Sequence, residues 1–159
     1  MRIYGHRPLT RFEAAVYAGI VAILLAVFAS QLLDYMEIAE RSAMQATVSN
    51  LNAAINTRLA YDVMRGKVDN VSAWARRNPF ELAKVSTSNF TGEVEASTLG
   101  ALERGRWAYD VSRAELVYLP RLRRGLETSD PDGILRFRAV VNPRGFGYAL
   151  VPAPGYRWN

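Results

Sequence analysis

One histidine, His6, and no cysteine leave this 159-residue chain without the usual pairing of nucleophile and base, and without a zinc ligand set. A glycine-rich phosphate loop is also missing, since Gly145-Phe146-Gly147 reads as hairpin punctuation. Enzymatic function is therefore not expected. The residues that could still do chemistry are carboxylates and arginines. Asp130 and Asp132, two residues apart ahead of Gly133, are oxygen donors, but an Asp-Pro-Asp-Gly run is first of all a turn, and calcium asks for six to eight oxygens. Arg121, Arg123 and Arg124 form a basic cluster. Such a run reads first as a solvated surface, and the only aromatic near it for stacking on bases is Tyr118, so nucleic acid is not an expected partner. Glu13 stands three residues after Thr10, the spacing of a capping box, in which hydroxyl and carboxylate satisfy the first free amides of a helix.

The stretch after Glu13 decides where that chemistry takes place. Ala14 to Leu33 is an uncharged, apolar run. About twenty such residues at ~1.5 Å each span the ~30 Å hydrocarbon core of a bilayer, with every backbone group satisfied inside the helix. A cleavable secretory signal has a shorter apolar core, about 7–15 residues, and ends in a break; here the helical pattern carries on. Arg2, Arg7 and Arg11 precede the run, whereas Asp34, Glu37 and Glu40 come after it. The positive-inside rule then places the N-terminus in the cytoplasm and everything from Asp34 onward outside the cytoplasmic membrane, in the periplasm of a cell that has one. Tyr17 and Tyr35 fall near the two interfaces, as aromatic belts do. Gly19 with Ala18, Ala22 and Ala26 makes a small-residue strip that permits close helix packing.

Past the anchor, roughly 125 residues remain, enough for one domain with its own core. The net charge of +5 says little about partners, because Arg2, Arg7 and Arg11 against Glu13 supply +2 of it ahead of the anchor. Three segments are expected: a basic leader-like stretch 1–8, a transmembrane helix 9–35 and a globular domain 36–159.

Apolar residues at Met44, Val48, Leu51, Ile55, Leu59 and Val63 step by three or four and mark one face of a helix that needs a sheet to cover. The intervening Gln45, Ser49, Asn50, Asn52, Asn56 and Arg58 are expected to face solvent or a neighbouring subunit. No proline interrupts residues 9 to 66, and Gly66 is a suitable stop, so one helix from about Thr10 to Met64, roughly 80 Å long, is predicted. Short helical pieces are expected at Val71 to Arg76 and Phe80 to Val85, and Ser86 to Gly100 reads as a loop tacked down by Phe90, Val94 and Leu99. Arg106 to Asp110 and Glu115 to Leu119 carry a hairpin signal. Ile134 to Val141 alternates, and Phe146 to Val151 returns as a further strand. The fold class is α+β: the long helix packed on a C-terminal antiparallel meander, ending in an irregular tail from Pro152 to Asn159.

Leu9-Thr-Arg-Phe-Glu13, succeeded by the apolar helix and by Gln31-Leu-Leu-Asp-Tyr35 in register, resembles the type IV pilin and type II secretion pseudopilin superfamily. Trp107 to Asp110 and Leu116 to Tyr118 are similar to the sheet of its minor members. The resemblance implies a processing junction at Pro8 and Leu9, and a Glu13 carboxylate that neutralises the terminal amine of a neighbouring subunit inside the membrane. It also implies partners among pilin or pseudopilin subunits and the inner-membrane platform of a secretion or pilus machine. No cofactor is implied, except that some pseudopilins bind calcium in the region of Asp130 and Asp132. The chain departs from the family at Pro8, where a glycine is usual, at Arg11, where an apolar residue is usual, and at Ser30, where a helix-kinking proline is usual. Pro8 fixes φ and carries a bulky ring next to the scissile bond. Pro8 and Arg11 support a second reading: an unprocessed single-pass adaptor that keeps its leader and does not polymerise.

Overall fold

The structure, a computed structural model, describes residues 10–67, 71–142 and 147–158. Helix α1 runs Arg11–Met64, 54 residues, and ends as a Schellman turn in which Gly66 adopts φ +64 while Gly66 N donates to Val63 O and Lys67 N to Asp62 O. A 3-10 turn comes next at Val71–Arg76, and then helix α2, Pro79–Ala83. The start of α2 is written locally: Asn78 Oδ1 accepts from Phe80 N at 3.1 Å, and Pro79 takes the first helical position, where its missing N–H costs nothing.

Seven strands complete the chain: β1 Phe90–Val94, β2 Arg106–Asp110, β3 Glu115–Leu119, β4 Leu126–Thr128, β5 Leu135–Asn142, β6 Gly147–Pro152 and β7 Tyr156–Trp158. The main sheet has the order β1-β2-β3-β5-β6. It is antiparallel from β2 to β6, with β1 added parallel to β2. Two expectations need correction. The segment read as a loop, Ser86 to Gly100, contributes β1 and a 3-10 turn at Ala96–Ala101. Its ladder comes from β2, and Thr91-Gly92 interrupts any local alternation. The tail read as irregular forms β7, which pairs with β4 in a second, two-stranded sheet. Strands of three residues are too short for a periodicity to show.

The chain divides into two compact units, one through Ile38 and one from Ala39 onward. The second has its own core. Met44, Leu51, Ile55 and Leu59 are buried, Val48 and Val63 pack at the rim, and together they meet Trp107, Tyr118, Leu135, Phe137 and Leu150 from one sheet face. The stripe read from the sequence is thus the helical half of that core. Aromatic rings run across it, with Phe80 stacked on Phe90 at 4.3 Å and Trp107 against Tyr118 at 4.6 Å. The opposite sheet face carries a smaller cluster in which Leu99, Ala108, Val117, Leu119 and Ile134 are buried, with Val94 and Leu102 packed against them. Phe90, Val94 and Leu99 do tack their segment to the domain.

Candidate functional site

The first unit contributes the membrane-type surface. Residues 11–36 of α1 are exposed throughout, with Phe12 77% and Phe28 67% exposed, and the most apolar stretch has a mean hydropathy of 2.3 with none of it buried. A helix this apolar and this uncovered is stable only against lipid or other helices. By length and composition it can cross a membrane. Its start is the expected capping box: Glu13 Oε2 accepts from Thr10 N at 2.8 Å and from Thr10 Oγ1 at 3.0 Å, and Thr10 Oγ1 accepts from Glu13 N at 3.2 Å. The Glu13 carboxylate therefore has donors within its own chain. Arg11 is exposed at the first helical position. Gly19 has open space around it, since an added Cβ would meet nothing within 4 Å. In place of a kinking proline, Ser30 donates to Val27 O at 2.8 Å, and the helix continues through it. Pro8 and Leu9, like His6, lie outside the described residues.

The second unit holds three polar arrangements, none of which is readable from local pattern. The first is a carboxylate grip. Glu40 Oε1 accepts from Tyr118 Oη at 2.8 Å and from Arg121 N at 2.7 Å, while Glu40 Oε2 accepts from Leu122 N at 3.1 Å. The next residue, Arg41, donates through Nη1 to Trp158 O at 2.8 Å. Two adjacent side chains of α1 thereby hold the segment leaving β3 and the end of β7. Burial, reinforced by the hydrogen bond and charge of Glu40, raises the Tyr118 phenol above its ordinary value of 10.0.

The second is an ion network on the sheet face away from the helix. Arg136 Nη1 lies 3.5 Å from Asp110 Oδ2 and 3.7 Å from Glu115 Oε2, its Nε lies 3.2 Å from Asp130 Oδ2, and Arg138 Nη2 reaches Glu115 Oε1 at 3.1 Å. Asp110 is fully buried, and its Oδ1 also accepts from Ser112 N and Arg113 N to shape the β2–β3 turn. Strand pairing places these groups together, because Asp110 faces Glu115 and Glu115 faces Arg138 across neighbouring strands.

That network locates the suspected calcium ligands. Asp130 Oδ1 accepts from Asp132 N and Ile134 N, its Oδ2 faces the Arg136 guanidinium, and Asp132 is exposed. Asp130 thus shapes a turn and neutralises an arginine. Among the described residues no group of three or more acidic, histidine or cysteine side chains is placed to hold a metal ion. The arginine run is likewise split. Arg121 lies over Gly105 and Arg123 over Gly133, where a Cβ would overlap each guanidinium, and both glycines sit at positive φ, +79 and +69.

The third is a set of helix polar groups turned inward, against expectation. Arg58 donates to Leu82 O at 2.8 Å and caps the end of α2. Asn52 and Asn56 bond to the backbone of β6. Gln45, Ser49 and Asn50 are not drawn in this way: Gln45, Ser49 and Asn50 are exposed, as expected.

Compared with family models, with curated proteins and with solved structures, the chain shows no significant match. A long N-terminal helix leading into a mainly antiparallel sheet is compatible with a pilin-like fold.

Proposed function

We propose that this chain is a pseudopilin-like or minor pilin-like structural subunit, and not an enzyme, anchored in a bacterial inner membrane by its N-terminal helix. Its N-terminus is cytoplasmic and its sheet domain periplasmic. It assembles through the helix into or onto a short filament of a type II secretion or type IV pilus system, with other such subunits and the membrane platform as partners. The observation that supports this most directly is α1 itself: the half through Leu33 buries nothing, and the half beyond Met44 supplies one wall of a sheet-packed core. One continuous helix thus offers an apolar surface for lipid and neighbours together with a rigid mount for the domain. In such an assembly Glu13 meets the terminal amine of a neighbouring subunit, and Gly19 with its flanking alanines lets helices approach closely. No cofactor is needed for this role.

The closed Thr10–Glu13 box favours one alternative, an unprocessed single-pass adaptor or regulator of such a machine. A carboxylate that already has donors in its own chain does not require a neighbour's amine. The mass of the N-terminal peptide, taken from protein isolated from its host membrane, separates the two. A chain beginning at Leu9 supports the assembling subunit. A chain beginning at Met1, together with absence from sheared filaments, overturns it in favour of the adaptor.

A further inference from the structure

Strand β6 is an edge of the main sheet, so one row of its backbone groups has no strand to bond. Unguarded edges recruit further strands, and β6, Gly-Tyr-Ala-Leu-Val-Pro, has the apolar, uncharged composition that makes this easy. The row is nevertheless occupied. Asn56 Oδ1 accepts from Tyr148 N at 2.9 Å while its Nδ2 donates to Tyr148 O at 2.8 Å, and Asn52 Oδ1 accepts from Leu150 N at 2.8 Å. The two-bond contact at Tyr148 is what a residue of a neighbouring antiparallel strand would make. The spacing matches as well: four residues of helix rise about 6 Å, and two residues of strand advance about 6.6–6.8 Å. Asn56 Nδ2 is held in place by a second bond, to Asn52 O at 2.8 Å. The sheet's other edge is treated differently, since the β1 pairing slips register between Phe90 and Glu93, where Gly92 adopts φ +111.

We infer that Asn52 and Asn56 act as a surrogate strand, masking β6 as a latent pairing site for the β6 of a second copy of this chain. The occupant is argued from composition and concentration. Like-with-like pairing of β6 brings together uncharged segments, and copies held by a helix in one bilayer meet at high effective concentration. In an antiparallel β6–β6 pair built on the outward groups of Tyr148 and Leu150, Ala149 of one copy faces Ala149 of the other in a non-hydrogen-bonded pair, close enough for a disulfide.

The test uses the full chain in detergent micelles, and the absence of native cysteine makes a single introduced thiol unambiguous. A149C alone should remain monomeric under mild oxidation, whereas N52A/N56A/A149C should form a disulfide-linked dimer with unchanged tryptophan emission. In the unsubstituted chain the amides of Tyr148 and Leu150 should exchange as slowly as those of β5, and about tenfold faster in N52A/N56A. Equal cross-linking with and without the asparagines overturns the proposal. So does fast exchange of both amides in the unsubstituted chain, a result that stands even where the triple variant unfolds.

Discussion

Replacing Glu40 by alanine should be among the most damaging polar substitutions in this protein. Its carboxylate accepts three hydrogen bonds from residues 78 to 82 positions away, so it ties the second half of α1 to the segment leaving β3. Losing a carboxylate acceptor costs about 1–3 kcal/mol for each buried donor left without a partner. Arg121 N is at an exposed position and water replaces its bond, whereas Tyr118 Oη and Leu122 N are part-buried. The expected loss for Glu40→Ala is therefore about 2–3 kcal/mol. For a domain of this size that corresponds to a Tm lowered by roughly 8–12 °C. Glu40→Gln should lose less, about 1–2 kcal/mol, because its carbonyl oxygen still serves Tyr118 and Arg121 while its amide faces Leu122 N donor to donor. Thermal unfolding of the full chain in micelles, tracked by tryptophan fluorescence, is the assay; Trp74, Trp107 and Trp158 are all buried in the second unit and report on it alone. A double-mutant cycle with Tyr118→Phe should show a coupling of about 1 kcal/mol. A shift below 2 °C for Glu40→Ala, or strict additivity in the cycle, would refute the grip as a stabilising element.

The pH response depends on the same residue. Burial raises the Tyr118 and Tyr148 phenols above their ordinary value of 10.0, aided at Tyr118 by Glu40, so the folded chain holds protons that the unfolded chain releases. Stability should be unaffected below pH 10 and fall as pH rises above it, and urea midpoints at pH 8 and pH 11 should show a smaller fall in Tyr118→Phe. Gly133→Ala should cost about 1–2 kcal/mol, because φ +69 strains any side chain and the new Cβ displaces the Arg123 guanidinium; Gly100→Ala, with open space around it, should shift the urea midpoint by less than about 0.5 kcal/mol. Trp158→Ala should destabilise the second unit by about 3–5 kcal/mol, measured by circular dichroism in micelles, since β7 closes the core with that ring. Glu13→Ala should leave the Tm of the second unit unchanged while weakening the start of α1 by about 1 kcal/mol, visible as faster amide exchange in its first turn.

Much of the architecture is local information. The Thr10–Glu13 box, the twenty-residue apolar run, the helical stripe from Met44 to Val63, the Gly66 stop and the β2–β3 hairpin each depend on side chains within a turn or a pleat of one another. A single stretch of sequence therefore specifies them by periodicity and capping. What the sequence could not express is pairing across distance. Asn52 lies 98 positions from Leu150, Arg41 lies 117 from Trp158, and Glu40 lies 78 from Tyr118, so in the chain each looks like an ordinary solvent-facing polar residue. The three-residue strands β4 and β7 carry too few side chains to show alternation and exist because each completes the other's ladder. Asp130 and the arginines obey the same rule. Their types announced a cation site and a basic surface, but the sheet register set a guanidinium against the carboxylate, and two left-handed glycines provided the beds on which Arg121 and Arg123 lie. Composition and period determined which elements form and which face each one buries. Only the tertiary structure decided which polar group meets which, because a hydrogen bond needs two atoms about 3 Å apart and sequence spacing does not encode that distance between remote residues.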